Sequence, residues 1–300
     1  VNSIYFLELT QEFQSTIALL KQHPTNIHKI TQLSFNDLKA NASQIESATL
    51  PLVILPNTLT SEQQNTLNQL HNKGVQFQSF GAFYEEQFRR IPEISLSNRW
   101  LLENIQHRHP AGFLFTKRVV DLSCGILMGL VFLITFPFIA SLIKLTSSGP
   151  ILFSQKRRST RNHDISIAKF RTMKHGTKDD IWTQPNDPRI TRIGHILRTT
   201  HLDELPQCWN LITGTLSLVG PRPEQSHIVD ALQTKIPFYQ TRHTVKPGIT
   251  GWAQLHVYAG SVEETKEKLE YDLYYLKHKS ILFDTEIIIK TLFSLMGIKS

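Results

Sequence analysis

The sequence predicts an α/β domain, then an apolar helix that enters and leaves a membrane on one face, then a mainly helical α+β domain. Three observations carry this. Residues 51–80 read as strand, helix, strand. Residues 122–143 contain no charged side chain. From residue 144 onward the chain is polar and basic, with strand-like and helical patches mixed. Its 300 residues suffice for two modest domains, and 40% hydrophobic residues can bury a core.

In the first domain, residues 1–108, "PLVILP" (51–56) is a short apolar run between prolines, as in a buried strand. "SEQQNTLNQLHNKG" (61–74) follows as a helix. Ser61 is its expected cap, Gln64 completes a capping box, Leu67 and Leu70 share a face, and Gly74 ends it. "VQFQSF" (75–80) alternates like a strand. No glycine-rich loop opens the helix, so dinucleotide binding is not supported. "NIQHRHPAG" (104–112) reads as a boundary.

The linker and apolar helix occupy residues 109–143. Over 122–143 a straight helix reaches about 33 Å, enough to cross a hydrocarbon core. Pro137 interrupts the run and removes a backbone donor. Lys117 and Arg118 precede it; Lys144, Lys156, Arg157, Arg158 and Arg161 follow it. Positive flanks prefer the cytoplasmic side. A helix that enters one leaflet, bends at Pro137 and leaves on the same face satisfies both facts. Asp121 then lies near the interface, paired with Lys117 or Arg118 at helical spacing. An ordinary tilted span and a buried core helix are the competing readings.

In residues 144–300, "ISIAKF" (165–170) alternates like a strand, and 204–212 reads as a helix with Gly214 just beyond it. Residues 261–278 form a helix capped by Ser261 with Glu264 three residues on. The apolar stretch 281–298 suits either the core or a membrane surface.

Lys plus Arg exceed Asp plus Glu by 32 to 25, a net charge of +7 that favours an anionic partner. No nucleic-acid motif accompanies that charge, and the apolar run argues against a nucleic-acid binder. The two cysteines, Cys124 and Cys208, sit in unlike contexts, which fits a reduced compartment rather than a disulfide framework. The 13 histidines make no zinc-like spacing. The chain begins at Val1 with no signal peptide, and the expectation is a piece of a longer protein.

Asp203 and Glu204 stand out in "HLDELPQCWN". Pro206 is tolerated only in a first helical turn, which puts both acids at a helix N-terminus. Free N–H groups there favour an ionised carboxylate and a bound phosphate. Taken alone, an Asp-Glu pair in that position is an ordinary cap. Around it, however, lie Lys169 and Arg171 in "KFRTMK", Arg198 in "RITRIGHILR", Arg222 between Pro221 and Pro223, and Lys246 beside glycines that admit a close ligand. Such cations can neutralise a pyrophosphate. A carboxylate can attack phosphorus, and a neighbouring one can hold Mg²⁺ with the substrate phosphates.

Eight segments in register carry a resemblance. "KRVVD" precedes an apolar run with an internal proline. "GPILFSQKR", "KFRTM", "NDPRITRIGHILR", "LDELPQ", "GTLSLVGPRPE", "VKPGITGWAQ" and "EYDLYYLKH" follow in order. From about Phe115 to Ile298 the chain resembles the bacterial sugar transferases, monotopic polyprenyl-phosphate phosphoglycosyl transferases. Residues 1–108 resemble the Rossmann-like domain of longer members, whose preceding membrane bundle is missing here. The resemblance implies a catalytic domain over 144–300 at the cytoplasmic face of the bacterial inner membrane. It implies transfer of a sugar-1-phosphate from a UDP-sugar to undecaprenyl phosphate, with UMP released, as the first step of exopolysaccharide, capsule or O-antigen assembly. Asp203 maps to the covalent nucleophile, Glu204 to the Mg²⁺ ligand, 114–143 to the re-entrant helix, and Pro221, Arg222 and Pro223 to the nucleotide or diphosphate contact. A homodimer is plausible for longer members. Three residues depart from the family pattern: Phe136 and His201 replace serines, and His256 replaces an asparagine. The sugar stays open. The alternative is a non-catalytic, membrane-anchored protein binding anionic lipid or polymer.

Overall fold

The computed structural model describes residues 3–7, 14, 16, 18–20, 29–40, 52–55, 59–105, 110–174, 176, 187–257 and 261–298. They form two compact units, Val1–Leu96 and Ser97–Ser300.

The first unit holds a parallel sheet in the order β2-β1-β3-β4, from β1 (Ser3–Leu7), β2 (Lys29–Leu33), β3 (Leu52–Leu55) and β4 (Gln76–Ser79). Its helices are α1 (Phe35–Ala40), α2 (Ser61–His71) and α3 (Phe80–Phe88). Strand β1 is buried on both faces, as a parallel strand between helical layers must be. Ile4 and Phe6 pack on Phe80, Phe83, Tyr84 and Phe88 of α3. Tyr5 and Leu7, pointing the other way, pack on Phe35, Leu67, Leu70 and Val75. The expected strands and helix are in place, with Leu67 and Leu70 buried and Gly74 left-handed at φ 92°. The cap differs from expectation. Thr60, not Ser61, caps α2, and Gln63, not Gln64, closes the box. The threonine is the residue with extended φ/ψ, which a cap requires. Pro51 and Pro56 lie outside the described residues.

In the second unit, α4 (Asn98–Asn104) comes first. Trp100, Leu101 and Ile105 pack with Trp252, Tyr271, Tyr275 and Phe283, so this segment belongs here. Of the expected boundary stretch, residues 106–109 lie outside the described residues. Helix α5 (Ala111–Thr146) runs 36 residues unbroken through Pro137. The antiparallel hairpin β5 (Leu152–Arg158) and β6 (Asp164–Phe170) pairs Leu152 with Phe170 and Arg158 with Asp164. Then come α6 (Arg192–Thr199), a 3₁₀ turn (Leu202–Gln207), α7 (Cys208–Thr213) and β7 (Ser217–Val219). Helix α8 (Ser226–Leu232), the second 3₁₀ turn of six residues (Tyr239–Thr244), β8 (Gly248–Thr250), α9 (Val262–His278) and α10 (Ile281–Leu295) follow. Ser261 caps α9 as expected.

Helix α5 is long and apolar enough to cross a membrane. One stripe of it is nevertheless held by protein along most of its length. Lys117 Nζ bonds Asp284 Oδ2 at 2.6 Å and the Val219 carbonyl at 2.9 Å. Arg118 caps α7 through the carbonyls of Leu211 and Ile212. Asp121 accepts from the Leu218 N–H at 2.7 Å and the Ser217 hydroxyl at 3.0 Å. This corrects the expected pairing of Asp121 with Lys117 or Arg118: each of the three finds a partner on another element instead. Gly125 lets α7 approach, since a Cβ there would lie 2.9 Å from Leu211 Cβ. Farther on, Phe132, Phe136, Ile139 and Ile143 pack with Phe170, Leu197 and Leu205. Phe136 thus packs its ring into this core, tilted 31° to Phe170 with centroids 6.0 Å apart. The opposite face is bare: Leu122, Ile126, Leu127, Leu130, Leu133, Ile134, Phe138 and Leu142 are exposed.

Candidate active site

The dyad departs from the expected helix. His201 turns the chain with left-handed φ/ψ of 54° and 15°, and Asp203 and Glu204 then lie in the 3₁₀ turn ahead of α7. Pro206 sits inside that turn, and the regular helix begins only at Cys208. The physical reason is local. Residues 202–207 wind with tighter three-residue spacing, in which Glu204 N–H reaches the His201 carbonyl at 3.1 Å. Gly214, with φ 76°, ends α7 as expected.

Both acids are buried, at 7% exposure for Asp203 and 8% for Glu204, yet their surroundings differ. Glu204 Oε1 accepts from Lys169 Nζ at 2.6 Å and from Arg222 Nη2 at 2.7 Å. Burial opposes its charge, but Arg222 and Lys169 together hold its carboxyl well below the usual range. The Asp203 carboxylate accepts no hydrogen bond among the described residues. Desolvation pushes its pKa up, with Glu204 adding to the rise, while Lys169, Arg198 and His201 pull the other way. Burial likewise lowers the Lys169 pKa, against the attraction of Glu204.

Each basic residue picked from the sequence has a definite place. Lys169 projects from the end of β6, and Arg222 from the turn after β7; both meet at Glu204. Arg198 donates from Nε to the Thr172 hydroxyl at 2.8 Å and lies close enough to Asp203 to lower its pKa. Arg171 is not brought to the dyad. It is buried and grips Ser147, the C-cap of α5, at 2.7 and 2.8 Å. Lys246 is exposed, and no hydrogen bond joins it to the dyad among the described residues. Gly248, two residues beyond Lys246, packs on the Gly220 backbone. A Cβ on Gly248 would lie 2.2 Å from the Gly220 nitrogen, so the two backbones touch. Pro221 and Pro223 are buried and their carbonyls are anchored, by Gly248 N–H at 3.0 Å and Arg157 Nη1 at 3.2 Å.

Sequence reasoning missed Arg157. Burial and the neighbouring Arg222 bring its pKa down to about 10, with Glu224 and Glu204 pulling it back. It lay in "GPILFSQKR" and was read as a membrane flank. His256 donates from Nδ1 to the Trp252 carbonyl at 2.9 Å and stacks on Tyr271 with ring centroids 4.5 Å apart.

No group of three or more His, Cys, Asp or Glu that could hold a metal occurs among the described residues. The dyad alone offers two carboxylates, which suits Mg²⁺ only where substrate phosphates and water complete the shell.

The buried acidic pair and the cations that meet it lie on β6, the 3₁₀ turn and the segment after β7, in the unit that packs against the apolar helix α5. Residues 113–297 match the sequence profile described as Bacterial sugar transferase, and the chain belongs to that family. It is 42% identical over 186 residues to the UDP-N-acetylgalactosamine-undecaprenyl-phosphate N-acetylgalactosaminephosphotransferase of Aeromonas hydrophila, covering 60% of this chain and 43% of that one. It is 41% identical over 182 residues to the UDP-glucose:undecaprenyl-phosphate glucose-1-phosphate transferase of Escherichia coli (strain K12), covering 59% and 39%. Against the exopolysaccharide production protein PSS of Rhizobium leguminosarum bv. phaseoli it is 38% identical over 193 residues, covering 60% and 95%. The chain therefore spans about two fifths of the length of the first two relatives. Two relatives named for different sugars match almost equally, so overall identity does not select the sugar.

Proposed function

We propose that the chain transfers a sugar-1-phosphate from a UDP-sugar to undecaprenyl phosphate by way of Asp203. The observation that carries this is the inequality of the dyad. Asp203 is buried with no hydrogen bond to its carboxylate among the described residues, while Glu204 beside it is fixed by Lys169 and Arg222. An unsolvated, unbonded carboxylate is the better nucleophile. Its oxygen attacks the sugar-side phosphorus, the bond from that phosphorus to the bridging oxygen breaks, and UMP leaves with the electron pair. An oxygen of undecaprenyl phosphate then attacks the same phosphorus. The aspartyl–phosphorus bond breaks, and the carboxylate is regenerated with undecaprenyl-diphosphate-sugar as product. Lys169, Arg198 and Arg222 supply charge to the phosphates, which is most of what phosphoryl transfer asks of a protein. Mg²⁺, when bound, would neutralise further phosphate charge, held through Glu204, whose Oε2 accepts no hydrogen bond among the described residues.

In this reading α5 rests in one leaflet of the bacterial plasma membrane, with the transferase unit on the cytoplasmic face. Support comes from its packing. Contacts from Lys117 to Ile143 hold about 39 Å of helix against a polar unit. A span through a core of about 30 Å would drag that unit into lipid. The bare face opposite is what lipid would cover. The parallel sheet of the first unit is in keeping with a Rossmann-like accessory domain, and a homodimer belongs to this reading as well.

The test is to incubate membranes carrying the chain with undecaprenyl phosphate, Mg²⁺ and a panel of UDP-sugars, following UMP. Release with at least one sugar, lost in Asp203→Asn, is expected. Equal UMP with and without the intact dyad would sink the proposal.

A further inference from the structure

We propose that Arg242 is a positioning residue for the transfer: from behind the Pro221-Arg222-Pro223 segment it fixes the Arg222 main chain where the Arg222 guanidinium meets Glu204. The inference rests on the transfer reading above and assigns a role to a residue in none of the quoted motifs.

Arg242 lies in the second 3₁₀ turn, with its side chain only 1% exposed. Every arm of its fork is engaged. Nη2 donates to the Arg222 carbonyl at 2.9 Å. Nε donates to Asp272 Oδ2 at 2.9 Å, and Nη2 lies 2.8 Å from the same oxygen. Nη1 lies 3.1 Å from the Tyr239 hydroxyl and 3.2 Å from Glu224 Oε2. Lys268, one turn before Asp272 on α9, closes the group by bonding Glu224, to which the Tyr239 hydroxyl also donates. Two cations and two carboxylates thus form a buried neutral group joining α9, the 3₁₀ turn and the "PRPE" segment.

Such a group is costly to bury, and well-packed apolar residues of similar volume are often as stable or more so. Its geometric output is at Arg222. The side chain of that residue is 38% exposed. Prolines on both sides restrict the backbone. With the Pro221 carbonyl held by Gly248 N–H, fixing the Arg222 carbonyl as well sets both peptide planes from which the Arg222 side chain leaves the chain. On the other side its Nη2 stands 2.7 Å from Glu204 Oε1. A lysine at position 242 keeps the charge but lacks the planar fork, and cannot hold Asp272, Glu224 and the Arg222 carbonyl in one geometry.

A double-mutant cycle tests this. The full chain in lipid nanodiscs is assayed for UMP release with undecaprenyl phosphate and the UDP-sugar it turns over best. Variants are Arg242→Lys, Arg222→Lys and the pair. Because misplacing a charge by about 1 Å can cost about 100-fold, Arg242→Lys is expected to lower kcat by roughly 10- to 100-fold, with KM within about threefold. On the Arg222→Lys background the same change should cost less than about threefold, since its effect has already been removed. Losses that multiply, or an unchanged kcat in Arg242→Lys, would overturn the role. If Arg242→Lys does not fold, Asp272→Asn loosens the same fork and must give the same non-additive pattern; multiplying losses there overturn the role equally. Wild-type turnover separates the two readings. Without it the transfer reading falls and takes this one with it; with it, additivity sinks Arg242 alone.

Discussion

Asp203 and Glu204 are adjacent residues whose charges have opposite consequences for stability. Glu204 has a folded pKa below its ordinary 4.5, so its ion pairs stabilise the fold above that pH. That contribution is lost as pH falls from 4.5 toward the folded value. Asp203 has a folded pKa above its ordinary 3.8, so at neutral pH its ionised form costs stability. Asp203→Asn is therefore expected to raise the melting temperature while lowering UMP release by at least about 1,000-fold. Glu204→Gln is expected to lower the melting temperature, because Lys169 and Arg222 lose the charge they share. Thermal melts of both variants at pH 7, beside the assay, check the opposite signs. Activity should also fall, on acidification, at a pH above that of an ordinary aspartate.

At the scale of elements, the long helix is fastened by a polar clasp at its start and an aromatic seam toward its end. Lys117→Met leaves Asp284 buried with Tyr275 as its remaining partner, and should cost roughly 3 kcal/mol in denaturant unfolding. Adding Asp284→Asn should recover most of it. Gly125→Leu should cost about 1–3 kcal/mol by forcing α7 away. Much of this layer was legible in the sequence. The strand–helix–strand of 51–80, the Ser261 cap and the Gly214 stop follow from local rules, and the dyad with Lys169, Arg198 and Arg222 follows from motif order. The partners were not legible. Asp121, Lys117 and Arg118 satisfy helical spacing with one another, so only tertiary contacts reveal that each bonds elsewhere. Arg171 and Arg157 look interchangeable as sequence cations, yet one caps a helix and the other lies beside the dyad's arginine. Arg242 and Asp272 are 30 residues apart with no local signal linking them.

For the whole molecule, the proposed transfer brings a water-soluble donor and a lipid acceptor together beside a helix packed along one face on the second unit. Cysteines placed at Thr116 and Lys144, in a chain with Cys124 and Cys208 changed to Ala, should both be shielded from an impermeant maleimide outside intact cells. Labelling of one end from outside would make the helix a span. Mass spectrometry detects a phosphosugar carried on Asp203. The purified chain is mixed with each UDP-sugar in the absence of acceptor, quenched and digested. One peptide, containing Asp203, should be heavier by a sugar phosphate, and that mass should be lost when undecaprenyl phosphate is added. Steady UMP release with acceptor present but no such adduct, for any donor that turns over, would contradict it.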